Sequence, residues 1–118
     1  MVYAYPIKEI KQKLKMPLYL LMMEENVNAI MQLILIKLVR MDKWGGSHTE
    51  LRNLTKGLPS RYLMTPRGKK LVQEAIKEMN NKGFLIAKPS TGEIHVSLNP
   101  AMAKDIKEFL QAFKGELN

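Results

Sequence analysis

The chain has 118 residues, no cysteine and a formal net charge of +8, from 19 basic and 11 acidic side chains. This length fits one domain, and a hydrophobic fraction of 46% is enough to build a core. The lack of cysteine excludes disulfides and thiolate metal sites, and it suits the reducing cytoplasm, where we expect the protein. No segment is long and apolar enough to span a bilayer, so no membrane association is expected. The positive charge favours a polyanionic partner.

The N-terminal third of the chain is predicted to be helical. Residues 6–15 have apolar side chains at helical spacing and end at an interruption by Pro17. Residues 18–23 are apolar and fit either a short helix or an extended arm. A strong helix is predicted over residues 27–41, with apolar side chains on well over half of its circumference. Because one small domain has difficulty covering such a helix, we expect the chain to form a homodimer.

The middle of the chain is predicted to contain two more helices. Residues 47–50, with the sequence Ser-His-Thr-Glu, have the pattern of a capping box and predict a short helix that ends near Lys56. A connection follows over residues 57–64. An N-cap threonine and a proline at residues 65 and 66 then begin a longer helix, which is predicted to reach Asn81 and stop at a glycine.

The hydrophobic period changes from helical to extended after this helix. Residues 84–88 and 93–98 predict the strands of a β-hairpin, joined by a turn at residues 89–92. In the second strand, Ile94, Val96 and Leu98 alternate and are expected to share one buried face.

An amphipathic helix is predicted over residues 101–113, after the hairpin. The expected fold class is therefore α+β, mainly α. We divide the chain into an N-terminal helix or arm (1–24), a central domain (25–98) and a C-terminal helix (99–118). The C-terminal helix is expected to pack on the domain or on a dimer partner, and a further protein partner at this helix stays open.

The basic residues are concentrated in one part of the chain. Between Leu51 and Gln73 there are six basic residues and no acidic one. A solvated protein surface normally mixes both signs of charge, so a stretch of one sign this long indicates a binding surface for an anion. Its basic residues are Arg52, Lys56, Arg61, Arg67, Lys69 and Lys70.

Residues 27–98 resemble a winged helix-turn-helix domain. The resemblance is carried by SHTEL at residues 47–51 and by LVQEAIKEMNNKGFLI at residues 71–86, which looks like a recognition helix that stops at glycine and enters the first wing strand. It implies that the helix at residues 65–81 enters the DNA major groove and that the hairpin contacts flanking DNA. The connection before this helix is longer than the usual tight turn, and Gly68 in its first turn permits close approach of a backbone.

Helical geometry gives an independent indication of the DNA-facing side. The apolar stripe of the helix is centred between Ala75 and Met79, so Lys70, Gln73 and Lys77 project from the opposite face. Lysine neutralises phosphate or reaches guanine, and glutamine can read an adenine edge. With the helix N-terminus, the preceding loop and the hairpin tip, the candidate DNA-binding residues are Arg61, Thr65, Arg67, Lys69, Lys70, Gln73, Lys77, Lys88, Ser90 and Thr91.

Motifs for catalysis or cofactor binding are not visible in the sequence. The two histidines, His48 and His95, are far apart and have no second ligand at metal-binding spacing, so we interpret them as ordinary surface side chains. There is no phosphate-cradling glycine loop and no nucleophile with an evident base. We therefore expect no catalytic residue, no metal and no cofactor.

Three functions are compatible with these patterns. A dimeric, sequence-specific transcriptional regulator is the commonest role of such modules. The segment at residues 16–21 is vaguely similar to the entry of replication-initiator winged helices, which favours a phage or plasmid adaptor for replication initiation or for centromere binding in partition. A third hypothesis, of another class, is a winged helix that binds protein or RNA.

Overall fold

The computed structural model describes residues 17–114, so the helix predicted at residues 6–15 lies outside the described part. The chain has an α+β fold that is mainly helical, and its strands form one antiparallel sheet in the order β1-β3-β2. The elements in chain order are α1 (Leu18–Arg40), β1 (Thr49–Glu50), α2 (Leu51–Thr55), α3 (Ser60–Leu63), α4 (Pro66–Asn81), β2 (Leu85–Ser90), β3 (Glu93–Leu98), a 3₁₀-helix (Pro100–Met102) and α5 (Ala103–Lys114).

The longest helix, α1, forms the centre of the fold. It begins at Leu18, directly after Pro17, so residues 18–23 are helical and the helix crosses the expected domain boundary at residue 24. Helices α2, α4 and α5 and strand β3 all pack against it. Its buried side chains form the middle of a single hydrophobic core, namely Ile30, Met31, Ile34, Leu35 and Leu38.

The predicted capping box at residues 47–50 is wrong. Helix α2 begins only at Leu51, its N-cap is Glu50, and no side chain caps it. Thr49 and Glu50 instead form β1, paired with β3. The Ser47 N–H, which the box would have capped, donates instead to the Trp44 carbonyl at 3.0 Å, and the Thr49 hydroxyl accepts a hydrogen bond of 3.4 Å from the Asn53 amide.

The longer helix, α4, forms where the sequence predicts it. Thr65 is its N-cap, and the Thr65 hydroxyl accepts from the backbone N–H of Gly68 at 2.9 Å and donates to the Arg61 carbonyl at 3.1 Å. Gly83, with φ of 75°, follows the helix end. The expected connection before α4 contains the short helix α3, which packs directly on its first turn.

The β-hairpin has a tighter turn than the sequence predicts. Only Thr91 and Gly92 are outside the strands, with φ of 43° and 82°, which is the pattern of a two-residue type I′ turn. Pro89 and Ser90 therefore belong to β2 rather than to the turn. Proline is tolerated there because β2 is an outer strand of the sheet.

The shared buried face predicted for β3 is only partly right. Val96 and Leu98 are buried, but Ile94 is 51% exposed because the hairpin extends beyond the helices. Ser97, on the opposite face, is also buried, and its hydroxyl donates to the Gly45 carbonyl at 2.7 Å. The chain before β1 thus covers the end of the hairpin nearest the core.

The C-terminal helix is joined to the body by its cap. The Asn99 side chain accepts from the Ala101 N–H at 3.1 Å and donates to the Gly83 carbonyl at 2.9 Å, which ties the start of α5 to the end of α4. Ile106 of α5 is buried in the core. Within residues 17–114, no helix combines the length and the apolarity that crossing a membrane requires.

Candidate nucleic-acid interface

The outer face of α4 carries the central group of candidate residues. The helix buries Leu71, Val72, Ala75 and Met79 against the body, because these side chains recur at helical spacing. Three side chains project from the opposite side and are exposed to solvent, namely Lys70, Gln73 and Lys77.

The charges on this face are available to a partner. Within residues 17–114, neither Lys70 nor Lys77 forms an ion pair. Glu74 is also exposed on α4, beside them, whereas Glu78 pairs with Lys82 one turn further on, at 3.8 Å. The face therefore presents two ammonium groups and one amide, which can donate hydrogen bonds to phosphate or to base edges, with the Glu74 carboxylate at its edge.

A pocket of about 160 Å³ lies at the N-terminus of α4. It brings together three of the candidates, Arg61, Thr65 and Arg67, with Asn26 of α1 beside them. The positive end of the helix dipole and two guanidinium groups make this a favourable place for an anion. Lys69 is exposed on the same first turns of α4 but does not line the pocket.

Tyr62 positions the Arg61 side chain at the pocket. Its ring is buried in the core, and its hydroxyl accepts a hydrogen bond of 3.2 Å from the Arg61 guanidinium. The guanidinium carbon also lies 4.7 Å from the centre of the same ring, at cation–π distance. Arg61 is thus held at the pocket wall by its neighbour, although the side chain remains exposed.

Gly68 allows this pocket to form. A Cβ at this position would lie 2.3 Å from the Arg61 carbonyl oxygen and 2.6 Å from the Tyr62 Cα. The backbone that approaches Gly68 closely is therefore that of α3, within the protein itself. Glycine brings α3 against α4 and places Arg61 next to Arg67.

The hairpin supplies the remaining candidates. Lys88 and Ser90 on β2 and Thr91 in the turn are all exposed. They do not line the pocket, and they lie on an element that follows α4 directly and packs against it. The ten candidates thus form three groups, on the outer face of α4, around the start of α4 and on the hairpin.

One residue of the basic stretch is neutralised in the fold. The Arg52 guanidinium lies 3.2 Å from the Glu50 carboxylate and 3.5 Å from that of Glu93. Glu93 is distant in the sequence and reaches Arg52 because β3 pairs with β1. The stretch from Leu51 to Gln73 contains no acidic residue, but in the folded chain acidic side chains from outside the stretch contact it at Arg52.

The two histidines form a pair that the sequence does not predict. Their Nδ1 atoms are 3.0 Å apart, and their rings meet edge to face with centroids 4.9 Å apart. His48 directly precedes β1 and His95 lies in β3, so the pairing of these strands brings them together across 47 positions of sequence. The pattern around each residue gives no signal of this long-range contact.

Comparisons of the chain with protein-family models, with curated proteins and with solved structures found no match.

Proposed function

We propose that the chain is a duplex-DNA-binding protein of the winged-helix class. Its element order supports this assignment, because a short helical pair precedes the longer helix α4, which leads directly into a β-hairpin. In such a domain α4 is the helix that enters the major groove, and the hairpin contacts the flanking backbone. The third strand, β1, fixes the base of the hairpin to the body beside α2.

The observation that carries the proposal is the outward projection of Lys70, Gln73 and Lys77 from α4. A groove-entering helix needs an apolar side that holds it on the body and an opposite side able to bind phosphates and base edges. Here the two lysines have no ion pair within the described residues, and the amide can form two hydrogen bonds with adenine.

The pocket at the start of α4 gives the helix an anchor. Arg61 and Arg67 bind a backbone phosphate there, and this contact fixes the depth of α4 in the groove. Lys88, Ser90 and Thr91 contact the next part of the duplex from the hairpin. Phosphate contacts of this kind position a protein on DNA, and base contacts select the sequence.

A homodimer is part of the proposal. On α1, Leu33 is 44% exposed and Val39 is 40% exposed, so a single chain leaves apolar surface of its central helix in water. Two-fold symmetry places two copies of α4 on related half-sites. We assign the protein to transcriptional regulation, the commonest role of such modules.

Fluorescence anisotropy with a duplex selected from a random pool tests the DNA-binding proposal. Replacing both Lys70 and Lys77 by alanine lowers affinity by about tenfold or more, and it lowers the slope of log K against log salt by up to about 2. Because both side chains are exposed, the melting temperature stays unchanged. Binding isotherms at saturating protein give the stoichiometry, which is two chains per duplex.

A matched variant separates the α4 face from total charge. Lys104 and Lys107 on α5 are also exposed, and replacing both by alanine removes two positive charges outside the proposed interface. This control retains most of the affinity. Equal losses in the two double variants, or no loss in the α4 variant, reject α4 as the groove helix.

A further inference from the structure

The His48–His95 pair has a geometry that suits a metal ion as well as a proton. Its Nδ1 atoms face each other at 3.0 Å. A single proton between two neutral rings accounts for this distance as a hydrogen bond. Imidazole nitrogen is also the commonest side-chain ligand of transition metals, and a metal ion held by both rings needs the lone pairs of both Nδ1 atoms to converge on one point.

The distance can be compared with that between ligands in a coordination shell. With metal–nitrogen bonds of about 2.0–2.1 Å, two ligands are about 2.9 Å apart at a right angle and about 3.4 Å apart at the tetrahedral angle. The observed 3.0 Å lies within this range, so both nitrogens can reach one ion with little movement. Among first-row divalent ions, nitrogen ligands bind Ni²⁺ and Cu²⁺ more tightly than the earlier members of the series.

The surroundings leave both rings accessible. His48 is exposed and His95 is half-buried, so water can complete the coordination shell. Glu50 and Lys88 flank His95 on the neighbouring strands, and Glu93 lies on the same strand as His95. Both carboxylates form ion pairs with Arg52. Within residues 17–114, no group of three or more histidine, cysteine, aspartate or glutamate side chains is arranged to hold a metal. A metal ion bound by this pair would therefore have two protein ligands from the described residues.

We propose that His48 and His95 together bind one late first-row transition-metal ion, of the Ni²⁺ or Cu²⁺ type, through their Nδ1 atoms. The ion takes the place of the proton between the rings: that proton leaves Nδ1 for solvent, and the donor ring takes up a proton from solvent at Nε2, so both rings stay neutral. The ion joins the segment before β1 to β3. Because these residues are 47 positions apart, the bound ion links two distant parts of the chain and stabilises the folded state over the unfolded one. His95 pairs with Lys88 in the sheet, so the site borders the hairpin part of the proposed DNA interface but does not share a residue with it.

Isothermal titration of the full chain with Ni²⁺, in a buffer that does not chelate metals, tests the site. The chain has only these two histidines and no cysteine, so no other imidazole or thiolate contributes. We expect one ion per chain, and affinity about tenfold lower or undetectable in both His48→Gln and His95→Gln, because each variant removes one of two ligands. Ser47→Ala, beside the site, retains binding, and Mg²⁺, which prefers oxygen ligands, does not bind.

Thermal unfolding gives a second readout. At free Ni²⁺ about 100-fold above its dissociation constant, the unfolding equilibrium of the native chain shifts about 100-fold toward the folded state. The shift disappears in the histidine variants. His48 is exposed, so its replacement tests the proposal even if His95→Gln fails to fold. No saturable binding, two independent ions per chain, or unchanged affinity in His48→Gln overturns the proposal.

Discussion

The contact between α3 and Gly68 leads to a prediction opposite in sign to that of helix propensity. Replacing glycine by alanine inside an exposed helix normally stabilises a protein by up to about 1 kcal/mol. At Gly68 the added methyl group would lie 2.3 Å from the Arg61 carbonyl oxygen, 2.6 Å from the Tyr62 Cα and 2.9 Å from the Thr65 hydroxyl. Two of these neighbours are backbone atoms, so a side-chain rotation cannot relieve the overlap.

The size of the effect follows from the movement required. To restore ordinary van der Waals distances, α3 has to move away from α4 by about 1 Å. Overpacking destabilises proteins by about 1–3 kcal/mol, and an overlap with two backbone atoms belongs in the upper part of that range, so the loss exceeds the gain in helix propensity of up to about 1 kcal/mol. We therefore expect Gly68→Ala to lower the free energy of unfolding by about 1–2 kcal/mol. For a chain of this size, the melting temperature falls by about 4–10 °C.

Chemical denaturation followed by circular dichroism measures this change. Gly46→Ala is the matched control, because no atom lies within 4 Å of the Cβ position at Gly46. That variant is neutral or slightly stabilising. If Gly68→Ala raises stability as it would in an isolated helix, then α3 does not pack against α4 as described, and the pocket with Arg61 and Arg67 is not formed.

Two further substitutions test the contacts around the interface. Thr65→Ala removes the N-cap of α4 and should lower the free energy of unfolding by about 1 kcal/mol. Thr65→Ser keeps the hydroxyl and should leave the free energy of unfolding almost unchanged. Equal losses of stability in the two variants would show that the Thr65 hydroxyl does not cap the helix. Ser97→Ala leaves the Gly45 carbonyl without its side-chain donor and should cost about 1–3 kcal/mol in urea denaturation. The exposed Ser47→Ala should change stability by no more than about 0.5 kcal/mol, and a similar value for Ser97→Ala would contradict the buried hydrogen bond.

The elements that the sequence predicts best are those with strong local signals. Helix α4 has an N-cap threonine, a proline in the first turn and a glycine at its end, and it forms over the expected residues. The outward direction of Lys70 and Lys77 follows from the same helical period. For α1 the sequence predicts the core-facing side, but the helix starts earlier than predicted, at Leu18, directly after Pro17 at the N-cap.

The features that the sequence does not predict depend on partners far away in the chain. The capping pattern at residues 47–50 is a real local preference, but pairing with β3 determines the structure there. The same pairing brings His48 to His95 and Glu93 to Arg52. The role of Gly68 likewise depends on the position of α3. In each case the local structure is determined by a contact between residues that are far apart in the sequence. The residues adjacent in the chain do not indicate that contact.

The two outer strands of the sheet limit how copies of this chain can associate. Strand β1 has only two residues, which is too short a template for a strand from another molecule. On the other border, Pro89 interrupts the row of backbone donors that β2 would otherwise offer, and Lys88 adds a charge beside it. Continuous intermolecular sheets are therefore disfavoured at both borders of this sheet.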